Sequence, residues 1–238
     1  MYRYISKSIE IFILSGLMFF SLHSSASVVI SGTRVIYPEN EREVTVKLTN
    51  EGLSPVLVQS WLDKGDIDTK PDNINVPFIL TPPINRINPE KSQTLRVSYS
   101  GGTLPSDRES VFWLNVLEIP QTKAAAAPNR LQVAFRSRIK FFYRPAGLKS
   151  DATEAAKTLS WSIKDGRLSA ENRSSFYVSL VSVTVSHAGK KTSIDGEMIA
   201  PFGSQDFSVK PAALSAGDAV TYEYVNDWGA VKSQDTTL

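Results

Sequence analysis

The sequence predicts an all-β protein made of two immunoglobulin-like β-sandwich domains, and three observations indicate this. Short segments of alternating apolar and polar residues follow one another, and glycine, proline and asparagine turn signals separate them at roughly 8–12-residue intervals. No convincing long helical period appears among them. The series stops at Pro145 and resumes after a polar stretch. We therefore expect a first domain over residues 27–145, a linker over 146–157 and a second domain over 158–238.

The first 26 residues have the three parts of a secretory signal. Arg3 and Lys7 precede an apolar run at 11–20, and residues 24–26, Ser-Ser-Ala, offer a small-residue cleavage site. The apolar run is shorter than the roughly 20 residues that a membrane-spanning helix needs. We therefore expect cleavage after Ala26 and an exported chain with no further membrane span, with an uncleaved anchor as the alternative.

Seven strands are predicted in the first domain. The most apolar run of the mature chain, Ser-Val-Phe-Trp-Leu-Asn-Val-Leu, is expected to be a central strand, and polar residues 64–75 and the alanine-rich stretch 121–128 are expected to be loops. The predicted strands lie around residues 28–37, 44–49, 56–62, 78–80, 95–99, 110–117 and 129–145.

The strand at 129–145 is about 15 residues long, whereas a typical strand has about 5–6. Every second residue of this strand is mainly apolar, and the residues between them are mainly basic. Lys140 lies beside a cluster of aromatic residues. The apolar positions are Leu131, Val133, Phe135, Ile139, Phe141 and Tyr143, and the opposite positions include Gln132, Arg136, Arg138, Lys140 and Arg144. On pattern alone this could be an interior strand covered by its own domain. Its length favours another hypothesis, in which Leu131, Val133 and Phe135 project as an apolar comb beside an unpaired edge.

The second domain shows shorter alternating runs. In the longest, at 176–185, the parity changes between Leu180 and Val181, which predicts a β-bulge. Residues 230–238 are mostly polar, and from them we expect an incomplete final strand.

Composition excludes several functional classes. The chain has no cysteine, and removal of residues 1–26 with Arg3, Lys7 and Glu10 lowers the formal net charge from +2 to +1. There is thus no thiolate site, and nucleic acid is not expected as a partner. His187 stands beside a turn, where a surface role is expected. Asp63, Asp66 and Asp68 lie at the start of the polar loop and are interpreted as solvated charges. No enzymatic site or cofactor is predicted.

Several stretches together resemble the PapD-type periplasmic pilus-assembly chaperones. Each is short, but they follow the family's order over almost the whole mature chain. They are T-R-V-I-Y at 33–37, T-P-P at 81–83 with Arg86 and Pro89, L-P-S-D-R-E-S at 104–110, I-P at 119–120, R-I-K-F-F-Y-R-P at 138–145 and N-D-W-G-A at 226–230.

The resemblance implies a boomerang arrangement of two sandwiches with a cleft between them. It implies that Arg34 and Lys140 bind the C-terminal carboxylate of a pilus or fimbrial subunit. It assigns Leu131, Val133 and Phe135 to the strand that completes the subunit's own sandwich, which is called donor-strand complementation. It implies that Glu109, Arg144 and Asp227 form a structural charge cluster at the domain junction.

The resulting hypothesis is a non-enzymatic periplasmic chaperone that delivers subunits to an outer-membrane usher. Without a subunit, a self-capping dimer is expected because the comb is exposed. The short 120–131 connection resembles the family branch that serves rod-shaped pili. The sequence departs from some relatives in lacking a cysteine pair in its second domain. The alternative is an exported glycan-binding or adhesion sandwich using Trp113 or Trp161, although core packing is the favoured interpretation of both tryptophans.

Overall fold

The computed structural model describes residues 27–120, 133–209 and 214–238. The predicted signal at 1–26 and Leu131 of the comb therefore lie outside the described residues. Strands dominate, as predicted, and two separate hydrophobic cores confirm an all-β protein of two immunoglobulin-like units. In the described ranges, no helix is both long and apolar enough to cross a membrane.

The first unit contains nine strands among its described residues. They form two sheets, and alternate residues of each strand enter the core between the sheets. The strands are β1 (Val28–Ile30), β2 (Arg34–Pro38), β3 (Glu43–Asn50), β4 (Val56–Asp63), β5 (Phe78–Thr81), β6 (Ile84–Ile87), β7 (Ser92–Tyr99), β8 (Ser110–Pro120) and β9 (Phe135–Arg144).

One sheet has the order β1-β3-β7-β5, and the other has the order β2-β9-β8-β4-β6. The predicted first strand is thus divided between the two sheets, since β1 pairs with β3 while β2 pairs with β9. Strand β8 is central, as predicted, because it pairs with β4 on one side and β9 on the other. The only parallel pair in this described unit is β2 with β9, so β2 runs beside β9 in the same direction.

The first core is rich in aromatic side chains. Tyr37 packs against Phe78 and Phe141, and Phe78 also makes an edge contact with Phe112 at a centroid distance of 5.0 Å. Because Phe141 comes from β9 and Phe78 from β5, these contacts join the two sheets. They attach the C-terminal half of β9, residues 140–144, to its own domain.

The second unit contains eight strands and a short helix among its described residues. Its sheets have the orders β10-β11-β15 and β13-β12-β16-β17, with β14 pairing to β12. The elements are α1 (Ala152–Lys157), β10 (Ser160–Lys164), β11 (Arg167–Glu171), β12 (Val178–His187), β13 (Lys190–Asp195), β14 (Met198–Ile199), β15 (Ser204–Phe207), β16 (Ala219–Val225) and β17 (Val231–Thr237).

Two features of the second unit differ from expectation. The polar C-terminal residues do form a final strand, because β17 pairs with β16 at seven consecutive positions. The stretch treated as a linker contains α1, whose N-cap Asp151 accepts hydrogen bonds from Thr153 N and Glu154 N. The predicted bulge is confirmed, since the β12–β16 register shifts between Leu180 and Ser182.

Candidate functional site

Two cations meet where β2 begins. The parallel register of β2 and β9 places Arg34 directly opposite Lys140. Their neighbours Val35 and Phe141 are buried in the first core. Successive strand residues point to opposite faces, so Arg34 and Lys140 lie on the outer face of the sheet.

The second unit covers this outer face at the two cations. The Lys140 ammonium donates a hydrogen bond to Ser179 Oγ at 3.0 Å, and Arg34 Nη1 donates to the carbonyl oxygen of Val225 at 2.9 Å. Ser179 lies on β12 and Val225 ends β16. The cation pair is therefore held in a cleft between the two sandwiches.

Burial makes this pair electrostatically unusual. It lowers the pKa of Lys140, and the positive charge of Arg34 lowers it further. The pKa of Arg34 is also lowered, chiefly by burial, although Asp227 and Glu109 act in the opposite direction. Within the described residues, neither cation lies within 4.0 Å of a carboxylate oxygen, and Arg34 Nε is buried without a hydrogen-bond partner.

Two adjacent, partly desolvated cations favour an anion between them. A carboxylate suits the pair because it only accepts hydrogen bonds and has two receptive oxygens. Arginine offers it a planar fork of donors, and lysine offers a compact ammonium, so both contacts would be charge-assisted.

A second charged group joins the domains beside the cation pair. Arg144, at the end of β9, donates from Nε to Glu109 at 2.7 Å and from Nη1 and Nη2 to Asp227 at 2.7 and 3.0 Å. Glu109 also accepts from the backbone N–H of Tyr177. The three residues predicted as a charge cluster are therefore in contact, and they connect β9 to the second unit.

Burial dominates the titration of Glu109 and raises its pKa, despite the nearby Arg144 guanidinium. Burial alone would lower the pKa of Arg144, but its bonds to Asp227 and Glu109 outweigh burial and raise it. Together with Arg34 and Lys140, the junction holds three cations and two carboxylates. The formal charges of the five residues sum to +1, and both carboxylates pair with Arg144 rather than with Arg34 or Lys140.

Among the described residues the strand predicted at 129–145 begins only at Phe135, so Val133 lies just before β9. The upper half of β9, residues 135–139, differs from its lower half, residues 140–144. Strand β2 pairs only with residues 140–144, so in the described part of the chain no strand occupies that edge of β9 at residues 135–139. Val133 is 48% exposed and Phe135 is 67% exposed, whereas Phe141 is fully buried. Both described members of the predicted comb are therefore exposed, Phe135 beside the open edge and Val133 just before it.

One acidic residue was misread from the sequence. Asp63 is buried, not solvated, because its carboxylate accepts hydrogen bonds from Asn115 and Arg138 and from the backbone N–H of Gly65. Asp66 remains exposed, as expected. Because Asp63 begins the polar loop, only its three-dimensional partners distinguish it from the loop's solvated charges.

Neither tryptophan considered for glycan binding is an open platform. Trp161 is buried and packs against Phe207 and Tyr222. Trp113 is half-buried, and the Arg138 guanidinium lies 4.9 Å from its ring centroid. Among the described residues, no group of three or more histidine, cysteine, aspartate or glutamate side chains is placed to hold a metal ion.

Two family models match the chain in succession. The model described as the N-terminal domain of the PapD pili and flagellar-assembly chaperone covers residues 27–149, and that of the PapD pili-assembly chaperone C-terminal domain covers 154–236. The chain belongs to the family of PapD-type pilus-assembly chaperones. This class of proteins consists of chaperones, not enzymes.

Individual relatives agree with this assignment. The chain is 46% identical to the probable fimbrial chaperone YadV of Escherichia coli over 221 residues, which cover 89% of this chain and 90% of that protein. The crystal structure of the YadV chaperone superposes with a TM-score of 0.78 at 42% identity, covering 89% of this chain and 100% of that one. A third match is the SafB chaperone of Salmonella enterica in complex with the SafA pilin, with a TM-score of 0.74, 28% identity and coverage of 89% and 96%.

Proposed function

We propose that this protein is a periplasmic chaperone that binds pilus subunits through Arg34, Lys140 and the upper half of β9, and then passes them to an outer-membrane usher. The observation that carries the proposal is the cation pair, which has no carboxylate partner among the described residues and lies beside an open strand edge. Membership of a chaperone family and the SafA–SafB complex support a pilus subunit as the partner.

The anchor sets the direction of the bound segment. A subunit whose terminal carboxylate lies at Arg34 and Lys140 can pair with the open edge of β9 only by extending back toward Phe135. Its C-terminal strand would then run parallel to β9, in line with β2, which is already parallel. Backbone hydrogen bonds along this edge would add affinity without depending on side-chain identity.

The comb supplies hydrophobic stabilisation. Phe135 at the start of β9 has the same parity as the core residues Phe141 and Tyr143, and so does Val133 two residues before it. The upper half of β9 and the residues before it therefore continue the core face beyond their own domain. A subunit with one strand missing could bury these side chains in its exposed groove, and Leu131 would be a third. Each fully buried apolar side chain contributes about 1.5–3 kcal/mol. A one-residue slip would turn the comb outward, so the anchor fixes the register.

Delivery requires a surface that the bound subunit leaves accessible. Leu57 on β4 and Ile84 on β6 are exposed apolar residues at the edge of the sheet farthest from β2. A separate contact there would let an usher engage the loaded chaperone. Release needs no nucleotide if a better-fitting strand from the next subunit replaces β9.

The proposal is tested by replacing each cation with a side chain of similar length, in Arg34→Met and Lys140→Met. The ligand is the pilus subunit that copurifies with the wild-type protein. Either variant should lower the affinity for this copurifying subunit at least about thirtyfold, since losing one partner of a buried charge pair costs about 2–5 kcal/mol. Surface pili should be lost in cells that carry either variant. Arg96→Met is the matched control, because Arg96 is an exposed arginine on the other sheet that pairs with Glu43.

A synthetic peptide with the subunit's C-terminal sequence tests whether the terminal negative charge is needed for binding, independently of the folding of the subunit. The peptide with a free carboxylate should bind the wild-type protein, and the same peptide with a C-terminal amide should bind at least tenfold more weakly. Equal binding of the two peptides, with normal pili from both methionine variants, would refute the carboxylate anchor.

A further inference from the structure

Trp228 is conspicuous because its large aromatic side chain is 84% exposed. The other three tryptophans of the chain are half-buried or buried. An indole gains free energy by leaving water, so exposure on a fixed segment indicates a contact surface. Trp228 lies in the turn that joins β16 to β17, and Val231 after the turn is also exposed.

The turn that carries Trp228 is held by a dense set of hydrogen bonds. Asn226 Oδ1 accepts from the backbone N–H groups of Trp228 and Ala230 at 3.1 and 2.9 Å. The Gly229 N–H donates to the Asn226 carbonyl oxygen at 3.0 Å. Exposure of Trp228 is therefore not the result of a loosely held loop.

The same turn contacts the first domain. Gly229 has a φ of +81°, and a Cβ at this position would lie 2.5 Å from Thr33 Oγ1. Only glycine allows both this conformation and this close approach. Thr33 immediately precedes Arg34, so the turn touches the chain directly beside the carboxylate anchor.

The residues around Trp228 already have partners, in the first domain or within the turn. The carbonyl oxygen of Val225 accepts from Arg34, and Asp227 pairs with Arg144. Asn226 caps the turn, and Gly229 contacts Thr33. Trp228 and Ala230 are the exposed residues of this turn, and of the two only Trp228 has a large side chain that a ligand could contact. The turn that carries Trp228 also contacts Arg34 of the anchor.

We propose that Trp228 contacts the bound subunit, packing its indole against an apolar or aromatic side chain within the last few residues of the subunit's C-terminal strand. The inference rests on the proposed function, since the carboxylate at Arg34 and Lys140 would bring these residues next to the turn. Tryptophan is enriched among residues that dominate binding energy at interfaces. Trp228 therefore selects subunits by the side chains near their C-terminus, whereas the cations recognise any free carboxylate.

The experiment compares Trp228→Ala, Trp228→Phe and the control Leu53→Ala in the full mature chain. Leu53 is a highly exposed apolar residue in the turn between β3 and β4 of the first domain. The probe is the synthetic C-terminal peptide of the copurifying subunit with its free carboxylate. We expect Trp228→Ala to weaken binding about ten- to thirtyfold, Trp228→Phe to weaken it less than about threefold, and the control to bind as wild type.

Fluorescence and a double-mutant cycle give readouts that a purely structural role would not change. Binding of the peptide should shift the wild-type tryptophan emission to shorter wavelength, and Trp228→Phe should abolish the shift. Replacing the apolar residues near the peptide's end with alanine should weaken wild-type binding but have little further effect on Trp228→Ala.

The outcomes also separate this inference from the proposed function. If Trp228→Ala binds the peptide as tightly as wild type while Lys140→Met loses it, the subunit contact is wrong and the anchor stands. If the amidated peptide binds as well as the free acid, the anchor itself is wrong. An unfolded Trp228→Ala variant would leave Trp228→Phe and the emission shift as the test, and absence of the shift would overturn the inference.

Discussion

The two halves of β9 have the same alternating pattern but opposite environments. In the lower half, Phe141 and Tyr143 are buried in the first core, while in the upper half Phe135 is 67% exposed. The difference has two sources: Phe78 of the facing sheet and Tyr37 of β2 pack against Phe141, and β2 covers the edge of β9 only from Lys140 onward. One half of β9 thus packs within its own domain, and the other half is open to a ligand. The cation pair lies at the boundary between the two halves.

The largest expected effect is a loss of stability, and only substitutions in the lower half of β9 should cause it. Phe141→Ala should lower the free energy of unfolding by about 3–5 kcal/mol, because it opens a cavity among Tyr37 and Phe78. Phe135→Ala should change it by no more than about 0.5 kcal/mol, because an exposed side chain leaves no cavity. Urea denaturation of both variants measures the contrast. Equal losses would mean that the upper half is also packed within its own domain.

Subunit binding should reverse this ranking. Phe135→Ala should weaken the complex with the copurifying subunit about 10- to 100-fold, since one aromatic side chain would no longer be buried. Val133→Ala should weaken it less, in proportion to its smaller apolar area. The control is Ile79→Ala, an exposed apolar residue on β5 of the other sheet. If neither comb variant changed binding, the upper half of β9 would not take part in subunit recognition.

The pH dependence should be smaller and should depend on Lys140. Burial lowers the pKa of Lys140 in the free protein, and a bound carboxylate would raise it again. Binding should therefore be strongest below the free-state pKa and weaken as pH rises through it. Lys140→Arg should show a flatter profile, since guanidinium keeps its proton throughout the range in which lysine titrates. A wild-type affinity that falls no more steeply with pH than that of Lys140→Arg would contradict the assignment.

The free protein should respond to pH in the opposite sense. The pKa of Lys140 is lower in the folded chain than in the unfolded chain, so the unfolded chain holds more protons between the two values. Stability should rise with pH in that interval. Lys140→Met should remove this rise, which thermal unfolding at a series of pH values can detect.

The elements that could be predicted from the sequence are those with a strong apolar pattern, either continuous or alternating. The central strand β8 and the bulge between Leu180 and Ser182 both follow from which residues are apolar. Strand β17 was missed because it is mostly polar and lies at the edge of its sheet, so burial leaves no periodic pattern. Strand β6 was missed because it follows two prolines and is largely exposed.

The site was predictable only in part for a similar reason. Resemblance to the family selected Arg34 and Lys140, and β2–β9 pairing brings them together. Ser179 and Val225 could not be found in this way, because an ordinary serine and a backbone carbonyl carry no pattern of their own. Asp63 was misread because its partners, Asn115 and Arg138, are distant in sequence.

Amide hydrogen exchange along β9 tests the central claim most directly. In the free monomer, at a concentration too low for the self-capping dimer, the amides of residues 133–139 that point away from β8 should exchange rapidly, and those at 140–144 should be protected by β2. Addition of the subunit should slow the first group by at least tenfold and leave the second unchanged. Rapid exchange at 133–139 in a saturated complex would show that the subunit does not pair with this edge.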